Sequence, residues 1–192
     1  MTRFAKILSR TLVGTAAALA LVGTQSAEAQ VGTQSNAVTV TLTARKNPVI
    51  TLTAASAALA LTGGIADNSA ANQFPQLALN LDWTLTGGSS LQLVGWFANG
   101  AQALANGTNF IPSSRVEGRL STAATWNAFT GAAVGGVGVA GSSLVLDNIP
   151  LTAANLTGTA ARAVDLRLNL VGAPVTVAGD YVGTLNLRAV VQ

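Results

Sequence analysis

Apolar and polar residues alternate with a period of two along much of the chain, which is the pattern of strands with one buried face. The turn "TGGSS" follows the clearest of these runs, and "LQLVGWF" after it predicts a returning strand that pairs with the first as a hairpin. We therefore expect antiparallel sheet here, with apolar side chains inward and polar ones outward. The apolar positions of that clearest run are Leu77, Leu79, Leu81, Trp83 and Leu85.

Further strands are predicted along the rest of the chain. Residues 162–170 alternate in the same way, with Arg162, Asp165 and Arg167 expected on the polar face. Many short strands separated by glycine-rich turns predict an all-β protein, an immunoglobulin-like antiparallel β-sandwich. Residues 131–141 are so rich in glycine that they predict a mobile loop. Weaker strands are predicted at residues 49–54, 58–62, 116–121, 125–130, 144–149 and 155–157, and a last strand at 181–191.

The first 29 residues have the three parts of a secretory signal peptide. They are a basic start, the apolar run "TLVGTAAALALVG" and a small-x-small cleavage site that ends at Ala29. We therefore predict a signal peptide at residues 1–29, an N-terminal extension at 30–47 and a β-sandwich domain at 48–192. The chain is then exported, and the apolar run is too short to predict a transmembrane segment that stays in the mature protein.

The composition excludes most catalytic chemistry. Cleavage after Ala29 leaves seven basic and six acidic residues without a basic stripe, so we expect no nucleic-acid partner. The chain has no cysteine and no histidine, which excludes disulfides, thiolate or imidazole metal sites and the usual nucleophile–base pairs. Asp82 and Asp165 are expected to be solvated on strand faces, and Asp147 to lie in a turn. We expect neither an enzyme nor a bound cofactor or metal.

Two tryptophans leave a binding function open. Trp96 and Trp126 lie outside the clearest apolar face and are candidate ligand contacts in a carbohydrate-binding module. The alternative for each of them is packing in the core or between sheets.

The segment just before the predicted domain is itself strand-like. Its apolar positions are Val38, Val40, Leu42 and Ala44, which alternate with threonines. A loose strand of this kind at a terminus would be an aggregation hazard. We therefore expect it to pair, either within its own domain or with a neighbouring subunit.

Two stretches resemble a known family. "VTVTLTARKNPVITL", in the predicted extension and first strand, and "AGDYVGTLNL", near the end, are similar to cysteine-free chaperone–usher pilins, especially the alpha-type (class 5) fimbrial major subunits. Secreted β-sandwiches of the spore-coat type are a looser resemblance. The pilin resemblance implies an immunoglobulin-like sandwich that lacks one strand, which the N-terminal extension of the neighbouring subunit supplies.

Carried onto this sequence, the resemblance implies a role for each of the two stretches. The donor residues would be Val38, Val40, Leu42 and Ala44, and the strand that borders the acceptor groove would carry Tyr181, Leu185, Leu187 and Ala189. The implied partners are identical subunits, a periplasmic chaperone and an outer-membrane usher. The chain would then pass through the periplasm to a cell-surface fibre with a role in adhesion or surface coating.

Three hypotheses remain from the sequence. The leading one is a non-enzymatic subunit of a surface fibre that assembles by donor-strand exchange. The alternatives are a self-contained secreted β-sandwich, in which the extension pairs within its own sheet, and a carbohydrate-binding module.

Overall fold

The computed structural model describes residues 41–192. Thr41 to Thr43 belong to a first unit, Met1–Thr43, and the second unit, Ala44–Gln192, contains every strand described below. The predicted signal peptide and most of the predicted extension, including Val38 and Val40, lie outside the described residues.

The second unit is built almost entirely from antiparallel strands. Its only helical segments among the described residues are short 3₁₀ helices at Gly100–Gln102 and Ser113–Arg115. The prediction of an all-β antiparallel sandwich is therefore confirmed. The strands are β1 (Val49–Ala54), β2 (Asn72–Gln73), β3 (Leu77–Thr84), β4 (Ser90–Trp96), β5 (Leu104–Asn106), β6 (Asn109–Ile111), β7 (Val116–Leu120), β8 (Asn127–Ala128), β9 (Ser143–Pro150), β10 (Thr157–Leu168) and β11 (Asn186–Val191).

Two sheets pack face to face around one core. Sheet A has the order β1-β3-β10-β7-β8, with β2 beside the end of β10, and sheet B has the order β11-β4-β9. The strict alternation of apolar residues in β3 supports this packing, because every second side chain points into the core between the sheets. The two sheets contribute to a single buried cluster, whose most buried members, each at most 1% exposed, include Leu79, Leu81, Leu91, Leu93 and Val164.

The predicted hairpin between β3 and β4 is wrong. β3 lies between β1 and β10, whereas β4 lies between β11 and β9, so residues 85–89 carry the chain from one sheet to the other. Gly88 in this turn has a φ of 127°, and a Cβ there would lie 2.3 Å from Cγ1 of Val191. The alternation specified which side chains are buried, but not which strands become neighbours, because ladder hydrogen bonds join backbone groups.

The side chain of Arg162 also lies on the opposite face from the one predicted. Arg162 is in register with buried Leu79, so it points toward the core. Its Nε lies 2.5 Å from Oδ2 of Asp147 on β9, which forms an ion pair between the two sheets. Side chains of a strand alternate between its two faces, so residue 162 points inward like Val164. The carboxylate of Asp147 on the other sheet reduces the cost of burying a cation there.

Three other segments differ from the prediction. The last strand begins at Asn186 rather than at residue 181, because Val182 instead forms a bridge with Ala105. Residues 58–62 form no strand, and the predicted strand at 125–130 is reduced to β8. The glycine-rich residues 131–141, predicted as a mobile loop, contain a tight turn with bridges between Val134 and Val137 and between Gly131 and Ser143.

The sandwich has two ends, to which we give fixed names. At the entry end the chain enters β1, and Val49 is in register with Thr84 of β3, which pairs in turn with Thr157 of β10. At the opposite, hairpin end β10 finishes, with Leu168 in register with Val116. The hairpin of β5 and β6 lies at this end beside residues 171–185, to which it is joined by two backbone hydrogen bonds.

A carboxylate ties two loops together at the hairpin end. Oδ1 of Asp67 accepts hydrogen bonds from the backbone N–H and the hydroxyl of Thr176, both 2.8 Å long. The backbone bond, and to a lesser extent the hydroxyl bond, hold the pKa of Asp67 below its ordinary value of 3.8, because both bonds favour the ionised form. Since the pKa is lower in the folded state, the stabilisation is present above that ordinary value and is lost as the pH falls through the lowered pKa.

Replacing Thr176 with valine is expected to raise the pKa of Asp67 toward its ordinary value, because the hydroxyl bond is lost while the backbone bond remains. An NMR titration of the Asp67 carboxyl in both proteins measures this change. Thr176→Ser keeps a hydroxyl and serves as the control, with the pKa of the parent protein expected. An unchanged pKa in Thr176→Val would contradict the role given to the hydroxyl.

Candidate functional site

One long edge of the sandwich is closed by a buried aromatic side chain. β7 of sheet A and β9 of sheet B approach each other there, and Phe129, which follows β8, has no exposed surface. Its ring meets that of Phe97 edge to face, with the centroids 5.2 Å apart. Gly95 and Gly118 make room for the ring, because a Cβ at either position would lie within 3.2 Å of it. The Phe129 ring therefore fills the space between the two sheets at this place.

The other long edge, which we call the open edge, lies where β1 of sheet A and β11 of sheet B also approach each other. Its outermost strands are β1 of sheet A and β11 of sheet B, and among residues 41–192 each has a ladder partner on one side only. The core-facing side chains of these strands stay half-buried, namely Ile50 and Leu52 on β1 and Leu187 and Val191 on β11. Such an edge offers unpaired backbone groups and apolar surface together, which is what an additional strand needs.

A groove of about 410 Å³ lies at the entry end of this open edge. Val49 beside it is 56% exposed although it belongs to a strand. The lining is mainly apolar, so side chains of an added strand would lose water contact here. The lining residues are Pro48, Val49, Ile50, Leu85, Thr86, Gly87 and Val191.

The residues predicted to border an acceptor groove are divided between two places. Leu187 and Ala189 lie on β11 and face the core, in register with Gly95 and Leu93 of β4. Leu185 lies one residue before β11 and packs half-buried against the same core. Tyr181 is also half-buried but precedes the bridge that Val182 makes at the hairpin end, so it does not belong to the edge strand.

The predicted donor residues that the structure describes are Leu42 and Ala44. Residues 41–48 form no strand, and all of them are exposed. Leu42 is 90% exposed. Val38 and Val40 lie outside the described residues.

Trp96 and Trp126 lie on the outer faces of different sheets. Trp96 ends β4 of sheet B, where it alternates with inward-facing residues. Trp126 lies over sheet A, and the guanidinium groups of Arg119 and Arg167 each lie 4.4 Å from a ring centroid. The two tryptophans therefore do not converge on one small ligand, and the Trp126 ring is in contact with cations of its own chain.

Three of the four carboxylates in the strands of sheets A and B are held by arginines, whereas Asp82 is exposed as expected. Asp165 was expected to be solvated but is only 6% exposed, and its Oδ2 lies 3.3 Å from Nε of Arg119. Asp147 was expected in a turn but belongs to β9 and forms the ion pair between the sheets described above. Oε2 of Glu117 accepts a 2.6 Å hydrogen bond from Arg167 on the neighbouring strand. These contacts join strands and sheets, so the carboxylates serve packing.

Sequence reasoning did not assign β1 to the border of the groove. The strand itself was predicted with its observed bounds, but its half-buried Ile50 and Leu52 were not recognised as one wall of an open edge. Pro48 was an available signal, because proline within sheets favours the first residue of a strand and edge strands.

No helix within residues 41–192 is both long and apolar enough to cross a membrane. Groups of three or more acidic side chains that could hold a metal ion are also absent from this part of the chain. No protein-family model matches the sequence, and no curated protein matches it significantly. Function is therefore inferred from the open edge.

Proposed function

We propose that this chain is an exported structural subunit of a surface fibre, such as a fimbria, in which the N-terminal extension of one copy fills the open edge of another copy. The observation that carries the proposal is the edge between β1 and β11, where unpaired strands flank half-buried apolar side chains. At the opposite edge the buried ring of Phe129 fills the space between the same two sheets.

The extension has the length and pattern that this edge requires. Residues 38–44 would span about 23 Å as a strand, and the six residues of β11 span about 20 Å. Val38, Val40 and Leu42 share one side of that strand, and burying each would contribute about 1.5–3 kcal/mol. The threonines between them would stay on the solvent side.

The observations favour donation to another copy over pairing within the same chain. Only residues 45–48 separate the extension from β1, so pairing within the chain would form a hairpin with β1. Residues 41–48, the part of this segment that the structure describes, form no strand. β1 keeps one unpaired side among residues 41–192, as an acceptor of a foreign strand must.

The open edge also explains why partners would be needed before assembly. An exposed strand edge with apolar neighbours is an aggregation hazard at the high local concentrations of export, and a covering chain removes that hazard. A periplasmic chaperone would supply that cover, and an outer-membrane usher would exchange it for the next subunit, as the pilin resemblance implies. The assembled fibre would lie at the cell surface, in adhesion or surface coating.

Deletion of residues 30–44 tests this function. The chain 30–192 is expected to form polymers whose mass rises with protein concentration in analytical ultracentrifugation, and the deleted chain is expected to stay monomeric with the same β-type circular dichroism. If the intact chain is monomeric at every concentration, and the deletion lowers its unfolding midpoint sharply, the extension pairs within its own domain and strand donation is wrong.

A further inference from the structure

The two ends of the sandwich carry an excess of opposite charge, although Asp82 lies near the entry end and Arg115 lies at the hairpin end. Arg45 and Lys46 precede β1 at the entry end, where Nζ of Lys46 donates a 3.1 Å hydrogen bond to the hydroxyl of Thr157. Asp67 and Asp180 are exposed on the loops of the hairpin end. No ion pair within the range 41–192 involves Arg45, Lys46, Asp67 or Asp180. The two cations and the two carboxylates are therefore available to a second chain.

The hairpin end is also apolar at its surface. Val175, Val177 and Val182 are 79%, 54% and 72% exposed, although all three lie in one connection between β10 and β11. Ala105 is in register with Phe110 on one side and bridges Val182 on the other, so the side chains of these three residues share one face. Phe110 is 43% exposed. An exposed apolar surface rimmed by charged residues is typical of a protein–protein contact.

We propose that this hairpin end is the docking surface for the entry end of a second copy of the same chain. The exposed valines would lie at the centre of the contact, with Asp67 and Asp180 facing Arg45 and Lys46 of the other copy. The proposal rests on the fibre function proposed above and specifies how consecutive subunits meet. Charge complementarity between the ends selects this orientation, because reversing one copy would place like charges together.

The direction of the donated strand follows from this contact. The extension leaves its own copy at the entry end, so docking places residue 44 beside the hairpin end of the acceptor. Residues 38–44 then run along the open edge, with the earlier residues toward the acceptor's entry end. β11 runs from the hairpin end to the entry end, so the donated strand is antiparallel to it, which is the slightly more stable pairing.

The same contact explains open-ended growth. Opposite ends of the molecule meet, so each added copy presents a new free hairpin or entry end. Head-to-tail contacts of this kind produce filaments unless the rotation closes a ring.

Cross-linking tests the contact directly, because the chain contains no cysteine of its own. A variant with Lys46→Cys and Asp180→Cys is expected to give a ladder of covalent multimers on a non-reducing gel, after oxidation or with a short bismaleimide. The control combines Lys46→Cys with Ala161→Cys, an exposed position on the outer face of β10, and is expected to give no ladder above background. Polymers without a ladder from the first variant would overturn the docking proposal.

Charge reversal supplies a second measurement. Lys46→Glu and Asp180→Lys are each expected to weaken polymerisation roughly twofold to fivefold at low salt, as exposed ion pairs do. The two changes combined are expected to restore it. Polymerisation that is equal in all variants would overturn the docking contact and leave strand donation intact, whereas an unmodified chain that forms no polymer would remove both proposals.

Discussion

Leu42→Asp is expected to stop the chain from polymerising at concentrations at which the parent chain forms fibres. Leu42 is 90% exposed in the single chain, so the substitution removes no packing there. In the proposed fibre the same side chain is buried in the open edge of a neighbour. Losing about 1.5–3 kcal/mol of apolar burial lowers the association constant roughly tenfold to hundredfold, and burying a carboxylate costs more.

Thr43→Asp is the matched control for this prediction. It adds the same charge one position further along, on the opposite side of the alternating strand, where the side chain would face solvent. Its polymer mass in analytical ultracentrifugation is expected to match that of the parent. If the two substitutions changed the polymer mass equally, or if neither changed it, burial of one face of the extension would be contradicted.

Phe129→Ala is expected to have the largest effect on the fold itself. Phe129 has no exposed surface and fills the closed edge against Phe97, Gly95 and Gly118. Deleting a buried phenylalanine side chain costs about 3–5 kcal/mol, because the cavity closes only in part. The free energy of unfolding of a domain of this size is about 5–15 kcal/mol, so the variant would be only marginally stable.

Urea unfolding followed by tryptophan fluorescence measures this cost as a lower midpoint at unchanged slope. Phe110→Ala is the control, since Phe110 is 43% exposed at the hairpin end and its loss is expected to cost no more than about 1 kcal/mol. Similar midpoints for the two variants would contradict the assignment of Phe129 to the closed edge. The two phenylalanines also show what sequence could not supply, because neither lies in a pattern that distinguishes buried from exposed.

Strand positions were predictable where the alternation was strict. The alternating run at residues 76–85 forms β3 over Leu77–Thr84, one residue shorter at each end, with the predicted buried face. Prediction failed where a local contact competes with the pattern. Residues 181–185 continue the apolar spacing of the last strand, but a Cβ at Gly183 would clash with the carbonyl oxygen of Ala103, and Val182 pairs with Ala105 instead.

Charged residues were predicted least well. Asp165 occupies the polar side of its strand as expected, yet it is buried because Arg119 from the neighbouring strand covers it. Asp147 and Arg162 meet across the two sheets, although 15 positions separate them in the sequence. Such pairs depend on which strands become neighbours, and a residue type does not encode its partner.

By itself, the sequence determined that this chain is all-β and which side chains of the strictly alternating strand β3 are buried. Alternation is enough for these conclusions, because successive side chains of a strand point to opposite faces. Only the tertiary structure decided the order of the strands, and therefore that one edge of the sandwich is closed by Phe129 while the edge between β1 and β11 stays open. Strand order depends on ladders between backbone groups that nearly every residue carries, so it is settled by the packing of the whole chain.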